Sequence, residues 1–373
     1  MSFPLQEGQH YGSSRGLVAA RQSTLIKMTT ESGVVGYGEA FGPPVVIASI
    51  IQEIQHLYIG KEVSQVPNLT GKLMNMFYHT ASKGLMLCAL SGVEIASYDA
   101  FGKILNVPVY NLLGGKARDR FKLYGSTGYI TESKSLHTLK EQVERVKSLN
   151  LQAIKIKVGT SLQEDIARVK VVREHYPEVQ LMIDINGNYT ADLAIKSLEN
   201  LEKYNIYWVE EPVPPYDYSG FKKIKQAFPS ILLTTGEAEY TRYGFREIIQ
   251  EAMVDIIQPD VTKCGGLHEA KAICMMAQTN NIRISPHIWG GVVGRAAAIQ
   301  LMAATPHYPH SLAEPEAMLF EYDLGKNALR DQVGLANFQI DAGWLRVGDA
   351  PGLGVEIDEE KLTYYQVRRE AVK

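Results

Sequence analysis

Apolar and cationic positions alternate along Ala153-Ile154-Lys155-Ile156-Lys157-Val158-Gly159. Side chains on a strand point to its two faces in turn, so a strand here sets Lys155 and Lys157 on one side and Ile154, Ile156 and Val158 on the other. Two ammonium groups then share one small volume, and like charges at close range predict a lysine pKa drawn down towards neutrality. A solvated edge strand would show the same alternation. The chain downstream of the pair sets it in context. Apolar segments recur there, each closed by a polar residue: Asp184 after Leu181-Met182-Ile183, Glu210 after Tyr207-Trp208-Val209, and Glu237 after Ile231 to Gly236. Asp260 comes after Ile256 to Pro259, His287 after Ile282 to Pro286, and Glu314 after Ser311-Leu312-Ala313. From Lys157 onward the steps are 27, 26, 27, 23, 27 and 27 residues. One strand, one helix and two short loops need about 30. A polar group at every strand end predicts the C-terminal mouth of a (β/α)8 barrel, the face on which such barrels carry chemistry.

Ahead of the barrel the pattern is different. Gln22 to Thr30 and Val34 to Ala40 bracket Glu31-Ser32-Gly33 and predict a β-hairpin. Helical periodicity comes next over Val45 to Leu57, Leu69 to His79, Leu85 to Ile104 and Val109 to Leu113, the last closing on Gly114-Gly115. Strands succeeded by helices without alternation predict an α+β unit over residues 1–115. The barrel is predicted over 116–330, with Phe121 to Gly125 as its first strand and Leu136 to Leu149 as its first helix. Residues 331–373 turn glycine-rich and strand-like and are expected to return to the first unit. A chain of 373 residues with 45% hydrophobic and 21% charged content fits one large barrel with an appended domain. A net charge of −3 predicts affinity for neither nucleic acid nor membrane. No uninterrupted apolar run is long enough to span a bilayer. Cys88, Cys264 and Cys274 lack metal-ligand spacing and read as reduced thiols of a cytoplasmic protein.

Lys155-Ile156-Lys157, Asp184-Ile185-Asn186, Trp208-Val209-Glu210-Glu211-Pro212, Gly236-Glu237, Pro259-Asp260 and Pro286-His287 together resemble the enolase superfamily, mandelate racemase subgroup. The resemblance also takes in Gly36-Tyr37-Gly38-Glu39 and Leu112-Leu113-Gly114-Gly115. It implies an α/β fold, a modified (β/α)8 TIM barrel with an N-terminal α+β capping domain completed by the C-terminal segment. It further implies one Mg²⁺ per active site, a small-molecule carboxylate substrate and a homo-oligomer. Members normally begin with a strand ahead of the first substrate loop. Only Met1 to Gln9 precede His10 here, so that strand is expected to be shortened or the recorded start internal.

The chemistry so implied is removal of the proton α to a carboxylate. Such a carbon acid is too weak for lysine or histidine to ionise unaided, and a divalent cation on the carboxylate oxygens stabilises the enediolate. Asp184, Glu210 and Glu237 are the expected ligands, since Mg²⁺ takes octahedral oxygen ligation and three carboxylates leave positions for substrate or water. Enolase-type sites pair this ion with a Lys or His base. Lys157 is the expected base, with Lys155 lowering its pKa and contacting the substrate carboxylate. His287, oriented by Asp260, is expected on the opposite face. Glu314 resembles the acid that hydrogen-bonds the substrate. Glu211 should point away from Glu210 and support it, and Lys263, three residues past Asp260, should point away and support the Gly-rich turn. The Asp-His pair argues against the two-lysine arrangement of muconate-type cycloisomerases. Asn186, His10, Tyr11, Arg15 and His79 are candidates to bind the substrate. Two bases permit dehydration of an acid sugar to a 2-keto-3-deoxy acid, the favoured reading, or racemisation and epimerisation. A non-catalytic metal-binding relative would not need opposed bases.

Overall fold

The computed structural model describes residues 1–133, 135–306 and 316–367. Parallel strands Arg120–Thr127, Ala153–Lys157, Gln180–Asp184, Ile206–Glu210, Leu232–Thr235, Ile256–Ile257 and Arg283–Ile284 pair in chain order, and Leu319–Asp323 pairs with the first. Beside the seventh strand, the eighth is held by the Ser285 hydroxyl, which donates to the Leu319 carbonyl at 2.8 Å. Helices Leu136–Ser148, Leu162–His175, Ala191–Leu201, Tyr218–Ala227, Thr241–Gln250, Gly266–Thr279 and Val292–Ala303 alternate with the strands.

Period-two alternation sorts each strand. Outward residues such as Ile154, Ile156, Leu181, Ile183, Val209 and Leu233 join one core with helix residues such as Val143, Val172, Leu198 and Phe221. Each such side chain gains about 1.5–3 kcal/mol on burial. Inward residues Tyr124, Ala153, Met182, Trp208, Ile256 and Leu319 form a separate apolar plug, with Tyr124 and Trp208 meeting edge to face at 5.2 Å. Two residues further along four of these strands the inward position turns charged, giving Lys155, Asp184, Glu210 and Glu321, all buried. The plug therefore seals the barrel beneath a charged layer at its C-terminal end.

The cap begins with a short strand, Ser2–Pro4, paired antiparallel to Ala20–Gln22. Its hairpin, Thr24–Thr29 with Val35–Ala40, lies directly on the helix Leu85–Ile104. A Cβ at Gly36 would fall 2.2 Å from the Ala96 carbonyl oxygen and one at Gly38 1.9 Å from that of Gly92, so the approach requires glycine. The helix is long and apolar enough by composition to cross a membrane, and 83% of that stretch is buried within this fold. The C-terminal segment divides between the two units. Trp344–Val347 extends the barrel sheet antiparallel to the first strand, while the Leu353 amide donates to Asp99 of the long helix at 2.8 Å. Tyr37 and Lys27 of the hairpin reach Glu359 at 2.5 and 2.6 Å.

The cap also grips the barrel through a buried carboxylate. Glu94 accepts from the Leu267 and His268 amides at 2.7 and 2.8 Å, at the start of the helix after the sixth strand. Burial pushes its carboxyl from 4.5 up to about 8, against the pull of those two amides. A carboxyl so raised takes up a proton on folding between those values. Its contribution to stability is complete below about pH 4.5 and is lost as pH rises through about 8. Denaturant titrations at pH 5 and pH 9 should show a fall in wild-type stability on the order of a few kcal/mol. Glu94→Gln, which has no proton to lose, should reduce that pH dependence and leave the shares of Glu210, Glu211 and His287, whose pKa values are also raised.

Candidate active site

Strand register brings the charged residues together. Lys157 lies opposite Asp184 in the second and third strands, and Asp184 lies opposite Glu210 in the third and fourth. One ligand oxygen each from Asp184, Glu210 and Glu237 lie within 4.8 Å of one another. Glu237 sits two residues past the fifth strand, after Gly236, whose φ of +133° and close neighbours Phe245 and Gln258 admit no side chain. Glu210 accepts from Lys155 Nζ at 2.5 Å and from Gln258 Nε2 at 2.6 Å. Lys155 also meets Glu321 at 3.1 Å, and Lys157 donates to Asp184.

The titration tendencies report a shortage of positive charge. Burial and Asp184 push Glu210 up to about 8, despite Lys155. Burial, together with Glu237 and Asp184, raises Glu211 well above the usual carboxylate range. The side-chain oxygens of Asn186 and Gln258 are buried without a partner among the described residues. A buried, all-oxygen donor set with excess negative charge fits a divalent cation, which Asp184, Glu210 and Glu237 could hold.

The expected fall in the Lys157 pKa is not what the structure gives. Burial pulls it down and Lys155 adds to that, but Asp184, with Glu237 and Glu210, more than offsets both and the pKa is raised. Alternation correctly pairs the lysines but says nothing of the carboxylates on the neighbouring strand. Lys155 is likewise raised, burial being outweighed by Glu210 and Glu321.

His287 and Asp260 each lie three residues past the ends of their two-residue strands. His287 Nδ1 is 2.7 Å from Asp260 Oδ2, and Nε2 is 3.5 Å from Glu237 Oε2. An ionised carboxylate only accepts, so Nδ1 carries the proton. Burial pulls the imidazole pKa down, but Glu237 and Asp260 lift it to about 9. Asp260 is in turn held by the amide and hydroxyl of Thr262, at 2.8 and 2.6 Å.

Other expectations need revision. The eighth strand is Leu319–Asp323, so Glu314 precedes it and lies outside the described residues. The carboxylate in that strand is Glu321, which accepts from the Ile288 amide at 2.7 Å. A fixed step of 27 residues from His287 stops short of it, while alternation within Leu319-Phe320-Glu321 points to it. Lys263 supports not the Gly-rich turn but the Glu237 loop, donating to the Glu237 carbonyl beneath the Phe41 ring at 4.5 Å. Its strand ends at Ile257, so alternation does not extend to it. Glu211, with a φ of +41° just past its strand, also escapes alternation, and accepts from the Thr235 hydroxyl at 3.4 Å.

Among the substrate-binding candidates, Arg15 and its neighbour Ser14 latch the first loop onto the segment after Asp184. Arg15 donates to Gly187 O at 3.0 Å and Ser14 to Ile185 O at 2.9 Å. Asn186, with a φ of +51°, donates its amide to Asp184 at 2.8 Å. Tyr11 is instead a core residue. Its ring packs on Tyr129 at 4.8 Å and its hydroxyl donates to Lys326 O at 2.7 Å, which removes it from the substrate set. His10 pairs with Glu132 at 2.6 Å, and His79 is exposed, its ring tilted against that of Tyr78 at 3.8 Å.

Residues 138–361 match the model described as enolase C-terminal domain-like, and residues 10–114 match the mandelate racemase/muconate lactonizing enzyme N-terminal domain. The chain is 33% identical to D-galactarolactone cycloisomerase of Agrobacterium fabrum, over 93% of this chain and 92% of that protein. It is 31% identical to arabinonate dehydratase of Saccharolobus solfataricus, over 92% and 90%. The crystal structure of the 3,6-anhydro-D-galactonate cycloisomerase from Zobellia galactanivorans superposes with a TM-score of 0.86 at 35% identity, over 95% of this chain and 97% of that one.

Titration with Mg²⁺ or Mn²⁺ should raise the stability of the wild type by about 2.7 kcal/mol at one hundred times the dissociation constant. Glu237→Gln, at the exposed side of the cluster, should lose most of that gain in thermal unfolding. An unchanged wild-type transition would remove the metal assignment.

Proposed function

The chain belongs to the mandelate racemase/muconate lactonizing enzyme family of the enolase superfamily and is an enzyme, and on that premise we propose that it dehydrates an acid sugar with Mg²⁺ bound. The observation that supports this reading is the placement of Lys157 and His287. They rise from the second and seventh strands and touch different members of one carboxylate triad, Asp184 and Glu237 respectively. Two proton carriers then flank a single site for a substrate carboxylate.

Asp184, Glu210 and Glu237 would hold the ion, which supplies positive charge where the substrate carboxylate gains negative charge. Lys157 takes the α-proton. Lys155, fixed between Glu210 and Glu321, stays an ammonium and faces the carboxylate. His287, kept protonated by Asp260 and Glu237, gives its proton to the departing β-hydroxyl as water leaves. The enol so formed becomes the 2-keto-3-deoxy acid by taking a proton at carbon 3 and releasing the one on its carbon-2 hydroxyl.

The names of the two cycloisomerases favour a second reading on the same residues. There the oxygen leaving the β-carbon belongs to a ring of the same molecule, so the product is an isomer of the substrate.

A screen of aldonates, aldarates and their lactones with Mg²⁺ in deuterated water, read by NMR, tests both. Keto acid formed from an open-chain acid, and lost by at least ~10³-fold in Lys157→Ala and His287→Asn, is the expected result. Turnover of cyclic acids alone would select the second reading. Inversion or α-exchange without keto acid would replace elimination by racemisation or epimerisation.

A further inference from the structure

We infer that the end of the cap hairpin, Glu39 to Phe41, is a positioning element for the Asp260–His287 pair, with Glu39 as its anchor. The role of the pair in elimination rests on the proposed dehydration, whereas the geometry does not. Glu39 is 2% exposed and belongs to Gly36-Tyr37-Gly38-Glu39, a motif to which the chemistry so far assigns no task. Its carboxylate crosses from cap to barrel and accepts from the Gly291 amide at 2.5 Å and the Gly294 amide at 2.7 Å. The Ser23 hydroxyl holds it from the cap side at 2.6 Å. Gly291 caps the helix Val292–Ala303, so the charge meets the positive end of a helix dipole. His287 lies four residues before Gly291.

The glycines of this loop make room for that carboxylate. A Cβ at Gly290, Gly291 or Gly294 would meet a Glu39 carboxylate oxygen at 2.7, 3.0 or 3.3 Å. The same hairpin end reaches the other partner. The Phe41 amide donates to Thr262 O at 3.2 Å, and the Thr262 amide and hydroxyl both donate to Asp260 Oδ1. The opposite oxygen of Asp260 holds His287 Nδ1 at 2.7 Å. One stretch of three cap residues therefore fixes the His287 loop through Glu39 and the Asp260 loop through Phe41. The imidazole stands between two loops that are joined behind it by the cap. Ile288 on Glu321 and Asn327 on Gly290 also tether the His287 loop from the eighth strand and its sequel, and Arg21 of the cap donates to the Trp289 carbonyl.

The test reads the Nδ1 proton of His287 in ¹⁵N-histidine-labelled protein with MgCl₂, assigned by its absence in His287→Asn. Held against an ionised carboxylate, that proton should resonate at low field and exchange slowly with water. Glu39→Gln offers one acceptor oxygen to two amides and should broaden the resonance away or speed its exchange by ~10-fold or more. Lys222→Ala, which removes only a surface ion pair with Glu251, should leave the resonance in place. Ser23→Ala keeps the carboxylate and loosens its hold, and should speed the exchange by a smaller factor. A folded Glu39→Gln with wild-type shift and exchange overturns the inference. So does an unchanged Ser23→Ala if Glu39→Gln fails to fold. On an acid that turns over, Glu39→Gln should lower kcat by ~10-fold or more with little change in KM and should retain α-proton exchange through Lys157. If the resonance responds in this way but no acid exchanges its α-proton, the positioning role stands and the elimination reading falls.

Discussion

The structure depends on keeping a layer of ionisable groups dry. Lys155, Asp184, Glu210 and Glu321 are each at most 2% exposed, and desolvating any one of them alone would cost several kcal/mol. The layer persists because register supplies the partners. Strands two to four set Lys157 opposite Asp184 and Asp184 opposite Glu210, and the eighth strand brings Glu321 to Lys155. The compensation is incomplete on the positive side, as the upward shift of Glu210 to about 8 records. A cation held by Asp184, Glu210 and Glu237 would resolve that imbalance. Beneath it, the plug of Tyr124, Met182, Trp208 and their neighbours packs the barrel interior with buried apolar side chains.

The cap is bound to the barrel by buried carboxylates as well as by apolar contact. Glu94 and Glu39 each satisfy backbone amides at the start of a barrel helix, those after the sixth and seventh strands. These two βα loops also carry Asp260 and His287. The strands before them form only two-residue ladders, so the loops extend far beyond the sheet and need support from elsewhere. The long helix provides a platform for it. Gly36 and Gly38 let the hairpin lie on its backbone, which brings Glu39 within reach of the barrel.

The reach of the sequence is set by where alternation holds. Within Ala153–Lys157, Gln180–Asp184 and Ile206–Glu210 it assigns each face and brings the lysines and two carboxylates together. Once the strand ends, it fails. Glu211 takes a left-handed φ, and Lys263 turns back to the Glu237 carbonyl, neither of which a period of two can anticipate. The helix step fails in the same way at the eighth unit, where the connection before Leu319 is longer and Glu321 rather than Glu314 occupies the strand. The direction of the Lys157 pKa escapes the sequence for a related reason. A sequence shows the like charge two residues away, whereas the opposite charge that outweighs it is 27 residues on.

Burial separates the two lysines that alternation treats as equals. Lys155 is 1% exposed and engaged by Glu210 and Glu321 at 2.5 and 3.1 Å, so releasing it would strand two buried carboxylates. Lys157 is 12% exposed and, among the described residues, closely paired with Asp184 alone. A group can trade its partner for a substrate only if what it leaves behind finds another partner. Asp184 meets that condition, since it also faces Lys155 at 3.9 Å and belongs to the carboxylate triad. The same condition applies across the site. His287 keeps Asp260 through Nδ1 whatever happens at Nε2, so its proton on that side is free to move without loosening the ring. In each case one contact holds the group in place while another is left exchangeable. That division of contacts, rather than residue type, distinguishes the proposed acid and base from the structural charges around them.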